Sequence, residues 1–229
     1  MNRYSRIDAK LPREFILLQG TGCRWRKCTF CDYHDDVSSD PFGVNKPVLD
    51  QVTGQYGVLD VINSGSAPEL DPQTVAYLRK IVQEKGIHTI WFEAHWMYRH
   101  ILADFAAQFA PAQVKFRCGV ETFDTGLREQ WKKGVPSDVA PEDIARHFKG
   151  VCLLCGTKGE ERGHIVDDIE TALRHFEYMS VNLFCPNNTS VEPDDELIKW
   201  FEEEVYPRYK DYPSIEILLQ NTDLGVGDK

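Results

Sequence analysis

Three cysteines, Cys23, Cys28 and Cys31, fall within nine residues of one another in the run Gly20-Thr-Gly-Cys23-Arg-Trp-Arg-Lys-Cys28-Thr-Phe-Cys31. Thiolates are soft ligands suited to zinc or to iron–sulfur clusters. Three of them can converge on one inorganic core only if the backbone folds tightly around it, and Gly20 and Gly22 permit the turns that requires. Three ligands rather than four would leave one iron of a [4Fe–4S] cubane open to bind a substrate or cofactor. Two other readings of the loop stand beside this one. His34 could complete a structural zinc site, since Cys/His sets of this kind bind zinc. Cys28 and Cys31 could form a thioredoxin-like dithiol, a reading that leaves Cys23 and the glycines without a role.

The elements that must position this loop alternate along the chain. Short β-rich runs fall at 15–19, 58–63, 89–94, 114–120, 151–155, 181–185 and 215–219. Helix-like stretches lie between them at 71–85, 97–109, 140–147, 165–178 and 194–206. Continuous apolar runs such as Cys152-Leu-Leu-Cys155 suit strands buried on both faces, as in parallel sheets. Alternation with helices predicts right-handed βα units. Six or seven such units are too few for a full eight-stranded barrel, so the expectation is an α/β fold in the form of an incomplete parallel (β/α)6-like barrel. Ligands then gather at the carboxyl ends of the strands, and the cysteine loop follows the first of them.

Composition narrows the function classes. The chain has 229 residues, 42% of them hydrophobic, which suits a single domain over 1–229 with a substantial core. No apolar run is long enough to span a bilayer, and the start, MNRYSRIDAKLPREF, lacks the apolar core of a signal peptide. The seven cysteines, odd in number and unevenly spread, argue against a disulfide framework and for a reducing, cytoplasmic compartment. A formal net charge of −10 argues against gripping a whole tRNA or DNA duplex, because phosphate neutralisation supplies most of that affinity. A small nucleotide held by a few local cations fits. Arg24, Arg26 and Lys27 could bind phosphate, and are read rather as balancing the negative charge of a thiolate-ligated cluster. Asp167-Asp168 is read as a solvated helix face, and Cys118, Cys152, Cys155 and Cys185 as small core residues on strands.

At this point the residues resemble the radical SAM superfamily, whose usual signature is C-x3-C-x2-C with an aromatic before the last cysteine. Here the spacing is C-x4-C-x2-C with Phe30 as the aromatic, one residue longer than the usual loop. Asn63-Ser64-Gly65-Ser66, closing the second strand, lies where the superfamily has a Gly-Gly-Glu-like turn that binds the amino group of S-adenosylmethionine (SAM). Cys118-Gly-Val-Glu121 resembles the fourth-strand segment that contacts the SAM ribose or carboxylate. The run from Leu153 through Leu154 and Gly156 to Glu160 is similar to the fifth-strand segment beside adenine. The resemblance implies a [4Fe–4S] cluster on Cys23, Cys28 and Cys31, SAM chelated by the open iron, and one-electron cleavage to methionine and a 5′-deoxyadenosyl radical. It also implies an electron donor such as flavodoxin or ferredoxin. The cofactor supplies the reactivity, and the protein positions the substrate.

Polar residues at the remaining strand ends are the candidates for the substrate side. Glu93 and His95 follow the third strand and share a face with Trp91 if alternation holds. Arg117 and Asn182 lie on the fourth and sixth strands, Asn187 follows the latter, and Asp223 follows the last. For each of these a structural hydrogen bond is an equal reading. Acids, amides and one arginine suit a polar heterocycle. The whole chain resembles the compact bacterial queuine lyases of queuosine salvage, a branch of the same superfamily. That resemblance implies cleavage of the base–ribose bond of queuosine 5′-phosphate, or of queuosine, to release queuine. A 7-carboxy-7-deazaguanine synthase-like ring-contraction enzyme, a glycyl-radical-enzyme activase and a zinc-stabilised module without catalysis remain as alternatives.

Overall fold

A computed structural model describes residues 1–227 of the chain, and these form two compact units whose boundary falls inside one strand. The first unit comprises residues 1–26, 33–116 and the segment from Thr222 onward; the second comprises 27–32 and 117–221.

The first unit is built on β1 (Tyr4–Ile7), β2 (Arg13–Leu18), β3 (Val58–Asn63) and β4 (Thr89–Glu93), adjacent in that order. β1 runs antiparallel to β2, pairing Tyr4 with Ile16, while β2, β3 and β4 are parallel. Leu59, Val61, Ile90 and Phe92 are fully buried along β3 and β4. Two helices have clear sequence causes. α1 (Pro41–Leu49) starts at Asp40, which accepts from Gly43 N at 3.0 Å, and α2 (Pro72–Glu84) starts at Asp71, which accepts from Thr74 N at 2.9 Å. Each has proline at its first position, where no hydrogen-bond donor is lost. Leu78, Ile81 and Val82 form the buried face of α2. The helix expected over 97–109 is shorter. A 3-10 turn, Trp96–Tyr98, capped by His95, precedes α3 (Leu102–Ala107).

The second unit carries β5 (Gln113–Glu121, from Arg117 onward), β6 (Gly150–Cys155), β7 (Tyr178–Leu183) and β8 (Ile215–Leu218), all parallel to their neighbours. The β5–β6 register shifts between Gly119 and Glu121. Around these strands lie α4 (Thr125–Gln130), α5 (Pro141–Ala145), α6 (Arg162–His175), α7 (Asp195–Trp200), a π-helical turn (Phe201–Val205) and α8 (Tyr206–Tyr209). Every position of β6 except Leu154 is buried, as strands covered on both faces require.

Several boundaries differ from those expected. β7 begins at Tyr178 rather than 181, and α6 ends at His175 because Phe176 is already extended. Cys185 therefore lies past the strand and is half-buried, whereas Cys118, Cys152 and Cys155 are buried strand residues as expected. Asp168, read as solvated, is buried on the inner face of α6; Asp167 is exposed. Among the described residues no helix is long and apolar enough to cross a membrane.

Candidate functional site

In the first unit the loops after β2, β3 and β4 meet around Cys23. Its thiol is free and half-buried, and Sγ accepts from Arg26 N at 3.5 Å. The turn after β3 is held from several sides. Asn63 Nδ2 donates to Ser66 O at 3.3 Å, Ser64 Oγ accepts from Gly20 N at 2.9 Å, and Ser66 Oγ accepts from His95 N at 2.9 Å. Asn63, Ser64 and Ser66 are buried, so these bonds carry the local structure. Gly65 is required by proximity: a Cβ there would lie 3.3 Å from Cys23 Cα and would collide with Glu69 Oε2.

The side chain that binds this corner together is Glu69, which sequence reasoning missed. Its Oε2 accepts from Ser66 N at 2.6 Å, and its Oε1 from Arg24 N at 2.8 Å and from the Tyr98 hydroxyl at 2.7 Å. Burial and then the bond to Glu69 push the Tyr98 phenol well above its ordinary pKa. The signal was present in the sequence: Ser66-Ala-Pro-Glu69 has the S-x-x-E spacing of a capping box, whose glutamate reaches back to the first amide.

Glu93 closes β4 and is half-buried. His95 is buried, its Nδ1 accepts from Met97 N at 3.1 Å, and its ring stacks on Trp25 with centroids 4.9 Å apart and planes 20° from parallel. His95 thus has a structural task, joining the cysteine loop to the turn after β4. Asp223 lies in the exposed turn 219–225 and belongs to this unit. His34, the candidate fourth zinc ligand, has Nε2 3.5 Å from Asp35 Oδ1.

In the second unit Cys28 and Cys31 flank one tight turn, in which Cys31 N donates to Cys28 O at 3.5 Å. Both cysteines lie outside any disulfide, are half-buried and pack on a cluster of Phe30, Leu127, Trp131 and Phe184. Phe30 meets Trp131 edge-on, with centroids 5.5 Å apart at 64°, and its carbonyl accepts from Asn187 Nδ2 at 2.7 Å. Leu154 packs on the same cluster. Glu121 is a non-glycine residue at φ +68, a left-handed conformation that the surroundings must enforce. Its Oε1 accepts from Lys133 Nζ at 2.7 Å in a largely buried ion pair, and Lys133 Nζ lies 5.6 Å from the Phe30 ring centre. Burial alone would lower the Lys133 pKa, but the Glu121 carboxylate and the Cys28 thiol outweigh it and keep the ammonium charged. Lys133 carries no local motif, and only the fold reveals it.

The other candidates in this unit have packing partners. Arg117 is buried with its guanidinium carbon 5.4 Å from the Tyr178 ring centre. Asn182 Nδ2 donates to Leu153 O at 2.9 Å and to Ser180 Oγ at 3.3 Å, stapling β7 to β6. Gly156, at φ +91, donates from N to Glu160 Oε2 at 2.8 Å, and a Cβ there would lie 2.8 Å from Ile198 Cγ1. Burial raises the Glu160 carboxyl to about 7 despite bonds from Thr157 N and Gly156 N. It likewise raises Asp168 to about 6 despite bonds from the Thr122 hydroxyl and Phe123 N.

Among the described residues no set of three His, Cys, Asp or Glu side chains is gathered as a metal-ion site. The donor chemistry nonetheless fits an iron–sulfur cluster. Three soft sulfur donors outside any disulfide are partly exposed, one accepting from a backbone N–H and one near the buried Lys133 ammonium.

The chain is similar over its whole length to a solved structure, a queuine lyase from Clostridium spiroforme bound to SAM and queuine. The two are 38% identical with a TM-score of 0.94, and the match covers 100% of each chain. Streptococcus suis SuiB matches with a TM-score of 0.57 at 14% identity, over 91% of this chain and 50% of that one, a likeness of fold alone. No family model and no curated protein matches. The fold is the incomplete parallel (β/α)6-like barrel type expected from the alternation of strands and helices. With that identity across the full length of both chains, this chain belongs to the queuine lyase family of the radical SAM superfamily.

Proposed function

We propose that this chain, acting as a single radical SAM domain over 1–229, cleaves the base–ribose bond of queuosine 5′-phosphate or queuosine and releases queuine. The observation that carries the reading is the full-length match, at 38% identity, to a queuine lyase bound to SAM and queuine. Cys23, Cys28 and Cys31 would hold a [4Fe–4S] cluster which, with SAM on its open iron and an electron from flavodoxin or ferredoxin, supplies the 5′-deoxyadenosyl radical.

The chain's own residues would position and shield. The turn Asn63–Ser66 offers SAM backbone groups held in place by Ser64, Ser66 and their partners. Glu121, fixed by Lys133, and the segment from Leu154 to Gly156 would contact the rest of SAM. Phe30, Trp131 and Phe184 would keep water from the Cys28–Cys31 side. On the substrate side, Glu93, His95, Arg117, Asn182 and Asp223 would meet the nucleotide. Queuine has a secondary amine and a guanine-like donor edge, which carboxylates recognise well. Cysteines odd in number and unevenly spread along the sequence support a reducing compartment, and the cytoplasm is the proposed location.

The test is anaerobic incubation of reconstituted protein with SAM, a reductant and queuosine 5′-phosphate. Queuine and 5′-deoxyadenosine should appear together. Formation of 5′-deoxyadenosine without queuine from either nucleoside or nucleotide overturns the substrate assignment.

A further inference from the structure

We propose that Glu69 is a positioning residue: it fixes Cys23 as a cluster ligand by tying the cysteine loop to the turns after β3 and β4. The proposal rests on the reading of Cys23 as a ligand. A carboxylate only accepts hydrogen bonds, and Glu69 receives three, each strengthened by its charge. One comes from Ser66 N, which is all that capping the 3-10 turn Ala67–Glu69 needs. The other two serve no cap. Arg24 N belongs to the residue after Cys23, and the Tyr98 hydroxyl belongs to the turn that also carries His95.

The loop has reason to need such a tether. On either side of Cys23 the backbone enters left-handed conformations, φ +120 at Gly22 and φ +42 at Arg26, and the second is strained for a non-glycine residue. A Cβ added at Gly65 would lie only 3.3 Å from Cys23 Cα, and Trp25 is stacked on His95. Glu69 is the one carboxylate of this set. A glutamine there would present a donor where the loop also presents donors, so at least one of the three bonds must fail.

The experiment compares wild type, Glu69→Gln, Tyr98→Phe and Leu78→Ala, the last a stability control in the buried face of α2 away from the loop. Two quantities are read: the rate at which a chelator strips the anaerobically reconstituted cluster, and amide exchange at Arg24 in the cluster-free protein. Both should rise about tenfold or more in Glu69→Gln and less in Tyr98→Phe, while Leu78→Ala stays within about twofold of wild type at Arg24. Arg24 exchange in Glu69→Gln no faster than in Leu78→Ala, or equal stripping rates in those two, overturns the proposal. Should Glu69→Gln fail to fold, Tyr98→Phe decides it, since wild-type values for both quantities there would overturn the proposal as well. Full iron in Cys23→Ala would sink the ligand reading instead, and the exchange measurement, made without iron, keeps the two failures apart.

Discussion

A thiol that must ionise to bind iron needs partial exposure and a donor or cation beside it; a thiol that fills a core needs neither. Cys23, Cys28 and Cys31 are half-buried, with Arg26 N on Cys23 Sγ and the Lys133 ammonium near Cys28, whereas Cys118, Cys152 and Cys155 are buried in strands. Replacing any of the first three by alanine should abolish cluster incorporation and SAM cleavage and leave the fold intact. Cys152→Ala should cost about 1 kcal/mol of stability and leave the chemistry alone. Iron and sulfide content, with circular dichroism, separates these outcomes. Glu93 is the carboxylate placed at the end of β4. Glu93→Gln should slow queuine release about ten- to a thousandfold, the loss of a charge-assisted hydrogen bond, while uncoupled SAM cleavage persists. Equal losses of released base and 5′-deoxyadenosine would show that Glu93 serves SAM or the fold. The cysteines were legible in the sequence because their spacing is local. Glu69 was legible only as a capping box, and Lys133 was not legible at all, since its partner Glu121 and its neighbour Cys28 are distant in the chain. Conversely, His95, Arg117 and Asn182 carry structural bonds that strand position alone does not reveal.

At the scale of elements, the strands were the legible part, because continuous apolar runs flanked by helical patterns leave little choice. What escaped was set by other forces. β1 is a short half-exposed edge whose Tyr-Ser-Arg-Ile has no apolar pattern, and it exists because β2 offers it an antiparallel partner. α1 was hidden by Gly43 and Pro47, poor helix formers, although Asp40-Pro41 marks its start. The solvated reading of Asp168 failed because α6 turns that carboxyl inward to cap Phe123 N at 2.7 Å. This error has a measurable consequence. Asp168 and Glu160 both have pKa values raised by burial, to about 6 and about 7, so the folded state holds their protons longer than the unfolded chain does. Their contribution is therefore fully present below about pH 4 and is lost as pH rises through 6 to 7, on the order of 3 kcal/mol for each group. Glu14 and Asp36, whose pKa values are lowered, act with the opposite sign, so the test is a difference. Melting temperature between pH 4 and 8 should decline less steeply in Asp168→Asn and in Glu160→Gln than in wild type. Parallel curves would mean that folding raises the pKa of neither carboxyl.

At the scale of the whole molecule, charge separates a nucleotide from a polynucleotide as substrate. A protein that neutralises six to ten phosphates loses roughly a thousandfold or more in affinity over a few-fold rise in salt, because condensed counterions are released on binding. A chain with 26 basic and 36 acidic residues has no general field to hold such a backbone, and any attraction must come from a few cations at the site. A single 5′-phosphate engages one or two of these, so kcat/KM for queuosine 5′-phosphate should fall only about three- to tenfold between 50 and 200 mM salt. Queuosine itself, lacking the phosphate, should show almost no dependence, and the difference between the two slopes reflects the cations that meet the phosphate. The measurement is initial queuine release at a series of potassium chloride concentrations, with SAM saturating. A loss of two or more powers of ten with the nucleotide would point to several basic contacts and to a longer nucleic acid as the natural substrate. A shallow slope shared by nucleotide and nucleoside would place the phosphate outside the protein's grip and make the base, read by groups such as Glu93, the source of the affinity.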